Sequence, residues 1–183
     1  MNSELILKKL NTWIYENEKR LILPDEFWTS AEFQEPELID AWFDAQIDKE
    51  ISDDDYEMFE SDFLWFASTE EGGEYYLWKY NKISNDEAPV VFLGSSGEYD
   101  MVAPSLNDFM CMLAHGNSFR ADYKTLRVKW NVESNEEYKN DCVNFLRSFN
   151  GLLNCTTFAE SIEKMSKHKN FVGMVDAFVE KYK

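Results

Sequence analysis

Between Asp62 and Ala103 the chain reads "DFLWFAST", "EYYLWKY", "PVVFLG" and "YDMVA", short aromatic or β-branched runs separated by turn residues. Such runs are strands. Glu71-Gly72-Gly73-Glu74 is a tight turn joining the first pair, "NKISNDEAP" a polar loop, and Gly94-Ser95-Ser96-Gly97 a turn before the last run. In "YYLWKY", Tyr76, Trp78 and Tyr80 face one way, and Tyr75, Leu77 and Lys79 the other. Whatever the rest of the chain does, it must cover this sheet.

The flanks supply helices. Pro104 ends the last strand, and Ser105 with Asp108 is the capping signature of a helix whose buried stripe is Leu106, Phe109, Met110 and Leu113, with Gly116 placed to end it. Ser3 caps a helix over residues 3–19, with Ile6, Leu10, Trp13, Ile14 and Asn17 at helical spacing. "LILP" then turns extended, because Pro24 disfavours helix at Leu23. Residues 25–62 carry fifteen Asp or Glu against the single Lys49. Within that block "EPELIDAWFDAQID" reads as a helix with Leu38, Ile39, Trp42 and Phe43 on one side, and "SDDDYEMFE" as a short helix opened by Ser52 and Asp55.

Further on, "RADYKTLRVKW" has room for one more strand. "SNEEYKNDCVNFLRSFNG" is a helix with a Ser134/Glu137 capping box, an apolar face of Tyr138, Cys142, Phe145, Leu146 and Phe149, and Gly151 as its stop. Residues 157–183 form one long helix or two short ones. The expected architecture is a single α+β domain over residues 1–183. A central, mostly antiparallel sheet spans residues 60–130, helices pack on one side of it, and 131–183 is a helical C-terminal extension.

Charge narrows the function. At a net −17 the chain is repelled by nucleic acid and by anionic membranes, but it attracts a basic protein. The acidity is concentrated early, since residues 111–183 hold eleven basic and nine acidic residues. Cys111, Cys142 and Cys155 are odd in number and not paired in sequence, which reads as reduced cysteines in a cytoplasmic protein. "MNSELILKKLNTWIYENEKR" has no continuous apolar run and no small-residue cleavage site, so it does not read as a signal peptide.

Chemistry-bearing motifs are weak. A nucleophile elbow needs G-x-S-x-G running into a helix, whereas here Gly97 follows Ser96 directly and a strand follows Gly97. His115 and His168 read as surface histidines, the first near the carbonyls that end a helix. An EF-hand starting at Asp53 would need Gly and Glu where Met58 and Leu64 stand. There is no zinc spacing, no P-loop and no G-x-G-x-x-G, so no metal or cofactor is implied.

The segments Phe63–Phe66, Gly72-Gly73, Leu77-Trp78, Pro89–Gly97 and Ser105–Leu113 together resemble the SUKH superfamily, the fold of fungal cell-wall-synthesis regulators and of many bacterial toxin-immunity proteins. The resemblance spans residues 63–114. It implies a non-enzymatic module that binds another protein, and it carries over no catalytic residue. The expected function is an immunity protein that neutralises a toxin domain, such as a basic nuclease. The expected binding surface is Asp53, Asp54, Asp55, Glu57, Glu60 and Asp62, with Tyr56 and Phe59 as aromatic anchors. Two alternatives stay open: a regulatory or scaffold protein of the same fold, and a small carboxylate-dependent enzyme, which perturbed acids in a cleft would favour.

Overall fold

The computed structural model describes residues 2–16, 27–115, 118–122, 124–131 and 139–183. Helix α1 (Ser3–Glu16) buries Ile6, Leu7, Leu10 and Trp13. Its expected extension to residue 19, with Asn17, and the "LILP" segment lie outside the described residues. Next come strand β1 (Trp28–Gln34), helix α2 (Ile39–Asp44) and helix α3 (Asp53–Asp62). Strands β2 (Phe63–Ser68), β3 (Glu74–Trp78), β4 (Val90–Leu93) and β5 (Tyr99–Ala103) then follow where the aromatic runs predict them.

The five strands form one antiparallel sheet in the order β1-β2-β3-β4-β5. Two turns set its register. Thr69 N–H donates to the Gly73 carbonyl at 2.8 Å, and Gly97 N–H to the Gly94 carbonyl at 3.1 Å. Gly97 sits at φ +90°, a region that favours glycine. Ser95 and Ser96 are exposed, so Gly94–Gly97 is the turn its spacing implies.

Two expectations about the sheet are corrected. First, helices cover both faces, not one. Tyr75, Leu77, Val90 and Phe92 pack with α1 and with helix α4 (Leu106–Ala114). Tyr76, Trp78, Val91 and Leu93 pack with Ile39 and Phe43 of α2 and with the C-terminal helix α7 (Phe171–Tyr182). The reason is visible in β3 and β4, where nearly every position is apolar; a sheet wetted on one face would alternate with polar residues. Second, the sheet begins at residue 28. β1 comes from the acidic block, where no strand is expected, and its half-exposed edge position tolerates Glu32 and Gln34.

Strands β6 (Ser118–Asp122) and β7 (Arg127–Asn131) pair antiparallel in a separate two-stranded sheet, two strands where one is expected. It lies along β5: Trp130 Nε1 donates to the Val102 carbonyl at 2.8 Å, and Val128 N–H to Asp100 Oδ2 at 3.1 Å.

Helix α5 (Lys139–Ser148) buries Cys142 and Phe145, and Phe149 is buried just beyond its end. The Ser134/Glu137 box, Tyr138 and Gly116 lie outside the described residues. The last segment holds two helices, α6 (Phe158–Met165) and α7. Thr157 and Glu160 form a capping box at α6, and the Asn170 side chain accepts from Gly173 N–H at α7.

The cysteines are a further correction. Cys111 of α4 is joined to Cys155 in a disulfide across 44 residues, and Cys142 is buried outside that link. Cysteine content therefore no longer argues for a reducing compartment. Among the described residues no helix is long and apolar enough to cross a membrane.

Candidate partner-binding face

α3 opens on Ser52, whose hydroxyl donates to Asp55 Oδ2 at 3.1 Å, and three aspartates fill its first turn. Carboxylates there complement the positive end of the helix. Asp53, Asp54 and Glu57 are exposed, and none of them has an ion pair among the described residues.

Asp55 is different. Its carboxylate accepts Lys181 Nζ at 2.7 Å and the Tyr182 hydroxyl, tying α3 to α7. The Lys181 hydrogen bond, then that of Tyr182, hold its pKa below the usual carboxylate range. Asp55→Asn is expected to lower the melting temperature by a few degrees at neutral pH. The deficit should be complete above the ordinary aspartate pKa near 4 and shrink as pH falls through the lower folded value. Thermal melts at neutral pH and at about pH 3 check this.

Tyr56 is half-buried, and its hydroxyl donates to Asp44 Oδ1 at 2.9 Å. That bond, then burial and the charges of Asp44, Asp40 and Glu50, push the phenol up to about 12. The acids of α2 and Glu50 thus share one field with the N-terminal half of α3. The side chains of Phe59 and Glu60 lie outside the described ones. Asp62, at the far end of α3, has other surroundings: burial raises its pKa, and Lys169, Lys82 and Lys79 oppose that rise.

The structure therefore brings Asp53, Asp54, Tyr56 and Glu57 to one surface, turns Asp55 inward and sets Asp62 apart. Sequence reasoning missed Asp40, Asp44 and Glu50, although all three lie in the same acidic block. It also missed a shallow depression of about 100 Å³ lined by Gln34, Glu35, Glu37, Leu38, Trp65 and Glu74. Leu38 is 57% exposed there, and Trp65 Nε1 has no acceptor among the described residues. Burial, with Glu37 adding to it, raises the pKa of Glu74, against the hydrogen bond from Tyr76.

The histidines separate. His115 Nδ1 meets the Cys111 carbonyl at 2.6 Å, as its place at a helix end predicts. His168 is not a plain surface residue: it is half-buried, its Nδ1 lies 2.8 Å from the Tyr80 hydroxyl, and burial lowers its pKa.

A family model described as SMI1 / KNR4 family (SUKH-1) matches residues 4–112, more than half of the chain. Comparison with curated proteins and with solved structures yields no match.

Proposed function

The chain belongs to the SMI1 / KNR4 family (SUKH-1), and from that premise we propose that it is a protein-binding module whose acidic α2–α3 face receives a basic partner. The specific reading is an immunity protein that neutralises a bacterial toxin domain. The observation that carries the proposal is the exposed trio Asp53, Asp54 and Glu57, without an ion pair among the described residues and continuous with Asp40, Asp44 and Glu50 around Tyr56. Carboxylates that no internal cation neutralises act at a distance. They steer a basic surface into register and speed encounter. Leu38, two positions before Asp40, and the Trp65 indole, which has no acceptor among the described residues, offer an apolar contact and a hydrogen-bond donor. A regulatory or scaffold role is the same chemistry with a different partner.

The enzyme alternative gains little. Glu74 and Asp62 are acids raised by burial that line depressions, but they line different ones. They do not form a carboxylate pair.

The test is binding kinetics with a basic toxin domain encoded beside this chain. Asp53→Asn/Asp54→Asn/Glu57→Gln is expected to slow association about tenfold at low salt, with dissociation little changed. The difference should close as salt shortens the screening length. These are surface changes, so stability should stay within about 0.5 kcal/mol. Unchanged association would remove the face from the proposal, and a failure of any adjacent toxin domain to bind would remove the immunity role.

A further inference from the structure

The C-terminal end of α3 opens on a cavity of about 530 Å³. Phe63, Trp78, Tyr80, Met58 and Met174 wall it, with Asp62 and Lys169 also lining it. Cavities of this size hold a large side chain or a small ligand, and methionines beside aromatic rings accept apolar groups of varied shape.

The charge at its lip is opposite in sign to that of the chain. Lys169 lines the cavity, Lys79 and Lys82 flank its lining residues Tyr80 and Asn81 in sequence, and all three act electrostatically on Asp62. Lys169 Nζ is held by Asn81 Oδ1 at 2.8 Å and lies 5.4 Å from the Tyr80 ring centre. His168 engages the Tyr80 hydroxyl and so orients that ring. Asn81 and Lys82 sit at φ +55° and +57°, the left-handed region that residues other than glycine adopt uncommonly. The fold thus holds the backbone bearing this lip in an unfavourable conformation.

We propose that this cavity is a second binding site, separate from the acidic face, for a short acidic peptide segment of a partner protein. An apolar or aromatic side chain of the segment fills the cavity, and flanking carboxylates pair with Lys79, Lys82 and Lys169. An apolar anchor inside a polar rim is the anatomy of a binding hot spot. A long polyanion such as a nucleic acid fits less well, because the field of a chain at net −17 repels it over its whole length. A few carboxylates meet mainly the local lysines. Along α3 the acidic face runs from Asp53 to Glu57 and the cavity lining from Met58 to Asp62, so the two take opposite halves of the helix.

The experiment is selection of a displayed library of random short peptides on the immobilised full chain, followed by titration of the winners. The enriched peptides are expected to carry a Trp, Phe or Leu flanked by Asp or Glu. Their affinity should fall about tenfold or more in Lys82→Glu/Lys169→Glu. Both lysines are exposed, so that variant should fold. Affinity should be unchanged in Asp53→Asn/Asp54→Asn/Glu57→Gln, which separates this site from the acidic face. No enrichment, enrichment of basic peptides, or equal binding by the Lys82/Lys169 variant would overturn the proposal. So would single-stranded oligonucleotide binding that this variant abolishes while no peptide binds.

Discussion

Asp108→Ala is expected to destabilise the fold by roughly 3 kcal/mol, the upper end of the loss when the partner of buried hydrogen-bonding groups is removed. Asp108 is 5% exposed. Its Oδ1 accepts from Lys164 Nζ at 2.8 Å, Ser161 Oγ at 2.9 Å and Thr156 Oγ1 at 3.3 Å. Its Oδ2 accepts from Ser105 Oγ at 2.6 Å, and Ser105 caps the Asp108 N–H in return at 3.1 Å. Neighbouring Asn107 exchanges two hydrogen bonds with the backbone of Asn154, at 3.0 and 2.9 Å. The start of α4 is thereby stitched to residues 154–164. Removing the carboxylate leaves the part-exposed Lys164 ammonium to water but strands the buried hydroxyls of Ser105 and Ser161. A fall in melting temperature of about 10 °C follows from the usual scaling. A fall of only a degree or two would mean that the network is incidental.

Acid should reveal the same group. Burial pushes the Asp108 carboxyl up, but hydrogen bonds from Lys164, Ser105 and Ser161 outweigh it and hold the pKa below its ordinary value. Its contribution is therefore complete above about pH 4 and is lost as pH falls through the lower folded value. Asp100, Glu74 and Asp62 have the opposite sign. Burial raises each of them, so each favours folding more as pH falls from neutral through its folded pKa. The parent should be most stable on the acid side of neutral and fail steeply below it. Asp108→Asn should retain the gentle rise and lose part of the steep fall. Melting curves taken from acid to neutral pH read both limbs.

Reducing the Cys111–Cys155 disulfide is expected to cost about 4 kcal/mol, the chain-entropy value for the 44-residue separation it closes. A melting temperature that drops with reductant in the parent, and does not respond in Cys111→Ala/Cys155→Ser, checks this. Equal melting with and without reductant would show that the link contributes nothing. The disulfide and Asp108 tie α4 to the same stretch, residues 154–164, so their effects should not add. With the disulfide open, Asp108 carries more of that junction, and the double change should lose more than the sum.

The strands β2 to β5 are legible in the sequence because short aromatic runs between glycine turns have few other uses. The Ser105 cap and the α3 helix are legible for the same local reason. What escapes is decided by residues far apart. Asp55 is drawn inward by Lys181 and Tyr182, more than 120 positions later, so no reading of "SDDDYEMFE" alone separates it from Asp53 and Asp54. The Cys111–Cys155 pairing and the Tyr80–His168 contact are likewise products of chain return. β1 escapes for a different reason: an edge strand half in water keeps charged and polar side chains, so its pattern is too weak to stand out from the acidic block around it.

The two-sided sheet has a consequence during synthesis. One face of β3 and β4 is covered largely by Phe171, Val175, Phe178 and Tyr182, and the Tyr182 carbonyl also receives the N–H groups of Asp48 and Lys49. A ribosome adding about 5–20 residues per second leaves Tyr76, Trp78, Val91 and Leu93 without that cover for several seconds. During that interval the emerging chain offers a sticky aromatic surface to any neighbour. Its yield in the cell should therefore depend on how well nascent chains are shielded, and a translation pause before residue 171 should lower it.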